Sequence, residues 1–542
     1  MKINYFSRKS IAFVLCVLLL CSMQASAACT AVYVGSQASD DGSIIIARSN
    51  DLQNVWANHV TITPAVENEP GRFMPVSADG SVQTEIPATT YKYTATPLMD
   101  TSEGNESAHD AAACTNEYGV SMTMSVTAFP NKAALKADPL VTGGVAEFAA
   151  TDLVICQSKT AREAVDVLLK TIDEYGSSES NIAIIADQNE VWYVEMYTGH
   201  QYAAVKLPAD KVSVFGNEYT LEYLSEYEDS ITSKDLITLA EDNGFAVHDK
   251  NNEVNLFKTY SGDNVTSDYS HMRTWIGHQI LAPSAFNANY SHDAMYPLCF
   301  TPDEKVSMED VSEIMRDRFE ETKYSPDETE RIDMRVIGTD TALSAHILQV
   351  YPDLPAEMSC VSWVSSGPPV CGVFVPVSND CVNVSDAYGG EQSGENYGNF
   401  DTDNYPYYTF KDLSTRCVGP DNYEVYGEPV QDYWDKAESN MFASMSKVLK
   451  EATKMKDADK RADYITSYCN DMQTKAFDDA KEILNTVMWE QNKNSNTLKI
   501  ERNPETHQMT GKEVVIDPIK IDLDASKYKS SYSPFFDFGF NW

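Results

Sequence analysis

The feature that most constrains this chain is a cysteine that follows a predicted export leader and opens a pair of β-like segments. The leader carries three cations, an apolar run over residues 11–23, and small residues at positions 25–28. This arrangement is typical of a cleavable signal peptide. The apolar run is too short to span a bilayer, which takes about 20 apolar residues. We therefore predict that residues 1–28 are removed and that the remaining protein, which begins near Cys29, is secreted or periplasmic.

The composition excludes two classes of partner. The 542 residues include 41 Lys and Arg against 81 Asp and Glu, a formal net charge of −40 at pH 7. This charge repels nucleic-acid phosphates and anionic lipid head groups, and the sequence offers no second apolar stretch for insertion into a membrane. Because 43% of the residues are hydrophobic and 11% aromatic, we expect a folded chain. Small substrate molecules are the expected partners, and homo-oligomerisation stays open.

The motifs of common cofactor and metal sites are absent from the sequence. The chain has no Gly-rich phosphate loop after a strand, no HExxH motif and no CxxC pair. Residues 401–412 begin like a calcium loop but lack the central glycine and the final glutamate. A GxSxG serine elbow is also absent. We therefore predict neither a cofactor nor a metal.

Strand-like and helical segments alternate in an order that favours an α+β or a layered α/β fold over a parallel doubly wound sheet, and we predict α+β. We predict a hairpin from residues 30–34 and 43–48, a strand pair around residues 187–189, and a helix within residues 159–176. In that helix, Thr160 and Glu163 match the capping-box pattern.

The last third of the chain is predicted to be a long loop, over residues 380–412, followed by two amphipathic helices and an edge strand over residues 513–523. The apolar faces of the two helices comprise Trp434, Met441, Met445, Val448, Leu449 and Ala452, and then Ile465, Cys469, Met472, Ala476, Ile483 and Val487. The predicted organisation is a signal peptide (1–28), a catalytic domain (29–430) and a helical extension packed on it (431–542).

Nine cysteines remain once the leader, with Cys16 and Cys21, is removed. In an exported protein an odd number leaves at least one thiol that cannot pair within the chain. If that thiol is Cys29, the other eight can form up to four disulfide bridges, which the sequence does not assign.

A cysteine at the start of a mature chain can carry out nucleophilic chemistry without a distant base. The small residues allow the leader to be cut before or after Ala28. A cut after Ala28 places an α-amine, with a pKa of about 7.7–8.0, on the same residue as a thiol with a pKa of about 8.5. The amine can then take the thiol proton, so Cys29 supplies both nucleophile and general base. A cut before Ala28 requires a second trimming step, for which autoprocessing is one route.

The second predicted strand ends in the sequence ARSND, where Arg48 and Asp51 can fold back beside Cys29. Arg48 would stabilise a thiolate, and Asp51 would accept a hydrogen bond from the α-ammonium. On these residues alone, the pattern is more typical of an ion pair on the surface.

With these motifs the chain resembles the N-terminal-nucleophile cysteine hydrolases, and among them the dipeptidase A type, which is related to choloylglycine hydrolases and penicillin V acylases. The likeness begins with the terminal cysteine and ARSND, and continues in order through TNEYGVSMT, TAREAVDVLLKTIDEYG, ADQNEVWYVEM, FGNEYTLE and SHMRTWIGHQIL. It covers residues 29–273 and extends more loosely to residue 377. The resemblance implies a four-layer αββα fold and the hydrolysis of dipeptides or short peptides.

The resemblance also implies a role for each matched residue. Cys29 would be the nucleophile, while Arg48 and Asp51 would orient and polarise the thiol and the α-amine. Asn217 would donate its side-chain amide to the oxyanion, and Arg273 would complete the electrostatic frame. Without the resemblance, Asn217 fits an Asx turn and Arg273 fits a cation on a helix surface.

The resemblance further implies a second oxyanion donor, a backbone amide on the strand after Asn116. Asn116 itself is interpreted as the residue that holds a turn before this strand.

Other interpretations of the same residues stay open. Residues 26–29 can serve as a lipobox, and lipidation of Cys29 would make the chain a lipid-anchored binding protein without catalysis, although lipoboxes favour Leu where this chain has Ser26. Cys29 can also belong to a disulfide. Within the enzyme class, an acylase acting on bile-salt conjugates, acyl-amino acids or penicillin-type amides would use the same attack on an amide carbonyl.

Overall fold

The structure of the chain is a computed structural model that describes residues 29–51, 57–97, 111–124, 126–262, 267–329, 334–390, 399–420, 422–494 and 516–529. Two antiparallel sheets, one small hairpin and a set of helices make up these residues. The fold is therefore α+β, as the order of the segments predicts.

The first sheet has six strands, and it carries the start of the mature chain. Its members are β1 (Ala31–Val34), β2 (Ile44–Asn50), β12 (Val212–Phe215), β14 (Ser344–Val350), β15 (Cys360–Ser366) and β16 (Val375–Ser378). They lie in the order β12-β1-β2-β14-β15-β16, with every pair antiparallel. The predicted hairpin is confirmed as β1 and β2, and β1 is enclosed by a neighbouring strand on each side.

The second sheet has eight strands, also antiparallel throughout. They are β3 (Thr61–Thr63), β6 (Tyr93–Pro97), β7 (Ala111–Asn116), β8 (Ser121–Met124), β9 (Asn181–Ala186), β10 (Val191–Met196), β11 (Tyr202–Lys206) and β13 (Ser230–Thr232). Their order is β13-β11-β10-β9-β8-β7-β6-β3, and a separate hairpin joins β4 (Arg72–Pro75) to β5 (Gln83–Ile86). The predicted strand pair is confirmed as β9 and β10, with Asp187 in the turn accepting from the backbone of Asn189 at 2.7 Å.

The two longest helices of the described ranges lie in the last third of the chain. The helices are α1 (Lys132–Ala137), α2 (Glu147–Ile155), α3 (Ala161–Tyr175), α4 (Leu236–Asp242), α5 (Leu256–Tyr260), α6 (Asp268–Leu281), α7 (Met308–Arg316), α8 (Asp386–Gly389), α9 (Pro406–Cys417), α10 (Glu428–Ala452) and α11 (Ala458–Asn494). Among the described residues, none of these helices combines the length and the apolar character that crossing a membrane would need.

The predicted helix is α3, and its N-terminus is capped differently from the prediction. The Thr160 hydroxyl accepts from the backbone N–H of Glu163 at 3.1 Å, as a capping box requires. The Glu163 carboxylate instead accepts from the backbone of Lys159, at 2.8 Å. Gly176, with a φ of 72°, ends the helix in a conformation that only glycine adopts readily.

Three apolar clusters hold these elements together. Because successive side chains of a strand point to opposite faces of its sheet, neighbouring residues enter different clusters. The first cluster lies between the sheets and includes Ala31, Ile46, Ile184 and Val205. The second joins the other face of the eight-stranded sheet to α2 and α3, and the third joins the other face of the six-stranded sheet to α6, α7, α9, α10 and α11. Consecutive residues therefore belong to different clusters, as Ala31 and Val32 illustrate.

The two amphipathic helices predicted near the C-terminus are confirmed as α10 and α11. All twelve residues assigned to their apolar faces are buried. Both helices belong to the same apolar cluster as the six-stranded sheet. The predicted domain boundary after residue 430 falls inside α10, so this helix belongs to both predicted parts.

Two predictions for the C-terminal third are wrong in the described ranges. The predicted loop over residues 380–412 contains α8 and the first turns of α9, because Pro406 starts a helix and Tyr407 and Phe410 bury apolar surface there; its residues 391–398 lie outside the described residues. Residues 516–523 do not form the predicted edge strand, and residues 513–515 lie outside the described part. Ile519 does donate to Val425 at 3.0 Å, but Val425 belongs to a helical turn and offers no strand edge.

Candidate active site

Cys29 lies two residues before β1 and is buried, with 1% of its surface exposed. The pairing of β1 with β2 places Ala31 opposite Arg48, and Arg48 Nη1 donates to Cys29 Sγ at 3.2 Å. Two acceptors on the eight-stranded sheet also hold the guanidinium. Arg48 Nε donates to Thr123 Oγ1 at 2.9 Å, and Nη2 donates to the Ala112 carbonyl at 3.1 Å. Arg48 therefore connects the two sheets and directs a cationic N–H at the sulfur.

Arg273, on α6, holds the backbone of the same cysteine. Its Nη1 donates to the Cys29 carbonyl at 2.6 Å and to Thr30 Oγ1 at 2.9 Å, and its Nε donates to the Tyr269 carbonyl at 3.0 Å. The side chain is fully buried, so the surface-cation interpretation is wrong. Burial lowers the pKa of Arg273 to about 10, and the group remains a cation at neutral pH.

Asn217 follows β12 and is the third residue of this network. Its Oδ1 accepts from Arg273 Nη2 at 2.8 Å, and its Nδ2 donates to the Thr127 carbonyl at 2.8 Å. These two contacts determine the orientation of the Asn217 side-chain amide. Donation from Asn217 to a substrate oxyanion stays a prediction.

The turn that carries Asn217 is braced against α6 by Glu218. The Glu218 carboxylate accepts from Thr274 Oγ1 and lies 3.0 Å from His271 Nδ1, while His271 Nε2 lies 2.8 Å from the Ala294 carbonyl. Although burial lowers the pKa of His271, the hydrogen bond and the charge of Glu218 raise it above its ordinary value overall. The brace therefore favours a charged imidazole that donates at both ring nitrogens.

Asp51, just after β2, contacts an arginine that the sequence did not predict. Arg335 Nη2 donates to Asp51 Oδ2, and Ser49 Oγ donates to the same oxygen at 3.1 Å. The other oxygen, Oδ1, is buried and accepts no hydrogen bond from the residues that the structure describes. Burial raises the pKa of Asp51, while Arg335 and Arg273 act in the opposite direction.

The electrostatics of the site favour a neutral thiol before activation. Burial raises the pKa of Cys29 above its ordinary value; Arg48 lowers it, and the charges of Asp51 and Glu147 raise it further. A neutral thiol is a weak nucleophile, so a base is required.

His346, opposite Arg48 on β14, does not supply that base in this geometry. Its Nε2 lies 2.8 Å from Thr123 Oγ1. Burial and the charge of Arg48 hold the pKa of His346 well below its usual range. The imidazole is therefore neutral, and it supports Thr123, which in turn orients Arg48.

Asn116 holds the turn between β7 and β8, as its sequence context predicts. Its Oδ1 accepts from the backbone of Tyr118 and Val120, at 2.9 and 3.1 Å, and its Nδ2 donates to the carbonyls of Ile155 and Ser158. The strand that follows reaches the site through Thr123. The second oxyanion donor, expected on this strand, stays a prediction.

Within the described ranges no three His, Cys, Asp or Glu side chains are grouped as metal ligands. The candidate site is built instead from a thiol, two buried arginines, a carboxylate and an amide. A sequence model of Peptidase family C69 matches residues 28–436. The chain belongs to peptidase family C69.

The match places the site inside the family's sequence range. All five predicted catalytic residues lie in it, together with Arg335 and His346, and its end falls within α10. The resemblance to the dipeptidase type of cysteine hydrolase is thereby confirmed at the level of the family. This C69 chain is a peptidase.

Several curated proteins are similar to this C69 peptidase over most of their length. A probable dipeptidase B of Streptococcus pyogenes serotype M1 is 29% identical over 507 residues, which cover 90% of this chain and 98% of that protein. A probable dipeptidase B of Lactococcus lactis subsp. lactis is 29% identical and covers 85% and 95% of the two chains. A probable dipeptidase of Salmonella dublin is 30% identical and covers 64% and 80%.

Among solved structures, a mutant of the conjugated bile acid hydrolase from Clostridium perfringens is similar to part of this C69 peptidase. The TM-score is 0.23 at 15% identity, over 34% of this chain and 52% of that chain. This overlap is too small to support a conclusion about fold or function.

Proposed function

We propose that the chain is an exported cysteine dipeptidase in which Cys29 is the nucleophile and its own α-amine is the general base. The observation that carries the proposal is that two buried arginines hold opposite parts of Cys29, Arg48 at the thiol and Arg273 at the carbonyl. A residue so constrained presents its sulfur in one orientation, which favours attack on a bound carbonyl. The names of the similar proteins support dipeptides as the substrate class.

Removal of the leader is the activating step in this proposal. It converts the amide nitrogen of Cys29 into an α-amine, a base with a pKa of about 7.7–8.0 in unperturbed form. Asp51 Oδ1, which accepts no hydrogen bond from the described residues, is the acceptor we assign to the resulting α-ammonium, while Arg335 and Ser49 hold Oδ2. Localisation outside the cytoplasm, in the periplasm or the medium, follows from the leader.

Acylation begins when the α-amine takes the proton of the Cys29 thiol and the sulfur attacks the peptide carbonyl. Arg48 stabilises the thiolate as it forms. The carbonyl oxygen becomes an oxyanion, to which Asn217 and a backbone amide would donate. The tetrahedral intermediate then expels the amine of the second residue, which takes its proton from the α-ammonium, and a thioester remains.

Deacylation uses the same groups in reverse. The α-amine, again neutral, takes a proton from water as the water attacks the thioester carbonyl. Collapse of the second tetrahedral intermediate releases the acid product and returns the proton to Cys29. No group outside the site is needed to complete the cycle.

We also propose that the fold is the four-layer αββα sandwich. The support is the division of apolar residues into one cluster between the sheets and two clusters that each join an outer sheet face to helices. In this arrangement Cys29 lies in the cluster between the sheets, two residues before the start of β1.

The decisive experiment compares the mature protein that begins at Cys29 with the same chain carrying one extra N-terminal alanine. Both are assayed on a panel of dipeptides, acyl-amino acids, conjugated bile salts and penicillin V. We expect dipeptide hydrolysis by the first and a loss of about 100-fold or more in the second, because an acylated amine is no base. Equal rates would refute the amine mechanism, and hydrolysis confined to the acyl compounds would favour the acylase.

Two controls separate the nucleophile from the fold. Cys29→Ala should abolish turnover while it preserves the unfolding transition, and undiminished activity in Cys29→Ser would exclude Cys29 as the nucleophile. The intact mass of the exported protein tests the lipid-anchored alternative, because a diacylglyceryl adduct on Cys29 would block both reacting groups.

A further inference from the structure

The nine cysteines of the described chain are free thiols, but they do not share one environment. Five contact groups other than cysteine: Cys29 contacts Arg48, Cys114 contacts Asp152, Cys156 contacts the Leu153 carbonyl, Cys299 contacts Tyr227 and Cys360 contacts Ser121. The remaining four contact each other in two pairs, Cys371 with Cys417 and Cys381 with Cys469. We propose that these two pairs are disulfide sites, and that both bridges form when the exported chain folds.

The first pair joins a turn to α9. Cys371 donates its backbone N–H to Ser414 Oγ at 3.3 Å, and its carbonyl accepts from Trp434 Nε1 at 3.1 Å. Cys417 lies three residues after Ser414 on α9, and residues with this spacing lie on the same helix face. The hydrogen bond to Ser414 thus places Cys371 against the face of α9 that carries Cys417, and the interaction with Cys371 raises the pKa of the Cys417 thiol.

The second pair repeats this design between the turn after β16 and α11. The residue after Cys381 donates its backbone N–H to Thr466 Oγ1 at 3.0 Å, and Cys469 lies three residues after Thr466 on α11. Lys92 Nζ donates to the Cys381 carbonyl at 3.1 Å. In the folded chain the Cys469 thiol and the nearby Lys92 both help to lower the pKa of Cys381, so the Cys381 and Cys469 side chains lie next to each other.

The chemistry requires an oxidant, which we assign to the class of dithiol oxidases that act on exported proteins. A thiolate of the chain, such as that of Cys381, attacks the disulfide of the oxidase and forms a mixed disulfide, and one oxidase sulfur leaves as a thiolate. The Cys469 thiolate then attacks the Cys381 sulfur and expels the second oxidase thiolate. Each bridge thus transfers two electrons and two protons from the thiols of the chain to the oxidase, which ends as a dithiol.

Because the four cysteines are buried, the bridges can form only at a particular stage of folding. All four sulfur-bearing residues have no exposed surface in the folded chain, so an oxidase can reach them only before the core closes. The bridges would then tie α9 and α11 to the turns beside the six-stranded sheet. In the folded chain the Cys29 thiol contacts Arg48 and not another cysteine, so it has no place in either bridge.

The test is oxidative refolding of the reduced mature chain with reduced and oxidised glutathione as the redox pair. The product is quenched with acid, alkylated in denaturant and mapped by mass spectrometry without reduction. We expect peptides linked through Cys371–Cys417 and Cys381–Cys469, and alkylation at the five other cysteines. Alkylation of the four, or their linkage to different partners, would overturn the proposal. The outcome is independent of peptidase activity, so it can fail while the proposed function holds, or the reverse.

Thermal unfolding with and without reductant provides a second measurement. Reduction should lower the Tm of the refolded chain by about 4 °C for each bridge, because both bridges close long loops in a chain of this size. In Cys371→Ser/Cys417→Ser the effect of reductant should fall by half. The matched control is Cys360→Ser, a buried cysteine beside Ser121, which should leave the reductant effect intact. A Tm that does not respond to reductant in the parent would count against the bridges.

Discussion

At the scale of single residues, Asp51 has two carboxylate oxygens with different surroundings. Oδ2 accepts from Arg335 and Ser49, whereas Oδ1 is buried without a partner among the described residues. A buried acceptor without a donor is costly, by about 1–3 kcal/mol. In the proposed mechanism the α-ammonium of Cys29 removes this cost, so the mature terminus should both stabilise the site and fix its own amine.

Loss of the Arg335 charge should therefore impair the enzyme through Asp51. In Arg335→Met, the cation that opposes the raised pKa of Asp51 is gone, so the carboxyl protonates at a higher pH. We expect the acid limb of the kcat/KM profile to move to higher pH and kcat/KM at neutral pH to fall by about 10-fold to 100-fold. Because Asp51 is buried and the Arg335 side chain is 13% exposed, breaking this ion pair should also cost stability, by at most about 3–5 kcal/mol.

Arg335→Lys is the matched variant, because it keeps the charge and loses the planar geometry. It should restore most of the pH profile while recovering less of the stability measured by urea unfolding. A pH profile of Arg335→Met that coincides with the parent would show that Asp51 does not depend on this arginine.

The predicted site residues that the structure brings together are those carried by ordered motifs. Cys29, Arg48, Asn217 and Arg273 lie in short segments whose order matches a known family, and the structure joins them by hydrogen bonds. Arg335 lies 284 residues from Asp51, and His346 lies in a strand whose Ser, His and Gln residues hide its buried character. No local pattern brings such residues together, so only the tertiary structure reveals them.

At the scale of elements, α6 approaches β12 unusually closely, and Gly277 makes this possible. A Cβ at Gly277 would lie 2.2 Å from a methyl carbon of Val214. One turn earlier the same helix carries Arg273, and Asn217 follows the end of β12. The distance between helix and strand therefore sets the hydrogen bonds that hold Cys29.

Gly277→Ala should push α6 away from β12 and loosen these hydrogen bonds. Overpacking of this kind costs about 1–3 kcal/mol, and we expect kcat/KM to fall with it. The double variant Gly277→Ala/Val214→Gly removes both the methyl groups and the Cβ of Val214, which would lie 2.2–2.9 Å from the new Cβ, and should recover part of the activity. If the double variant is as impaired as Gly277→Ala, the close approach is not the cause.

The brace between α6 and the Asn217 turn should make stability depend on pH. The folded-state pKa of His271 is raised, so its contribution is complete below the unfolded pKa of about 6.5 and is lost as pH rises through the folded pKa. The loss is about 1.4 kcal/mol for each unit between the two pKa values. Urea unfolding of the parent and of His271→Gln, between about pH 5.5 and pH 8.5, should show this dependence only in the parent.

At the scale of the whole molecule, α10 and α11 complete the apolar cluster on the six-stranded sheet. Their faces could be predicted because a 3.6-residue period is local to each helix. The order of the eight-stranded sheet could not, since it pairs β3 with β6 and β8 with β9 across intervening elements. Without α10 and α11, apolar residues of the six-stranded sheet would be exposed to solvent. The C-terminal extension is therefore needed to complete the core.

A chain ended after residue 427 should fail to fold as a soluble enzyme. It lacks Trp434, Met441, Ile465 and the other residues that cover the sheet, and exposed apolar area of this size promotes aggregation. We expect little soluble protein, strong binding of a hydrophobic dye and no peptidase activity. A chain ended after residue 529 is the matched control and should behave like the parent, while an active chain ended after residue 427 would show that the helices are dispensable.

The enclosure of β1 between β12 and β2 has a consequence for the order of events in the life of this protein. Cys29 is buried at the start of that strand, so a peptidase in solution has no access to its peptide nitrogen once the sheet has formed. In the activation that we propose, removal of the leader by a separate peptidase therefore competes in time with closure of the sheet. Under that proposal, a chain that folds before it is trimmed depends on its own site for the cut, and without such autoprocessing it stays an inactive zymogen.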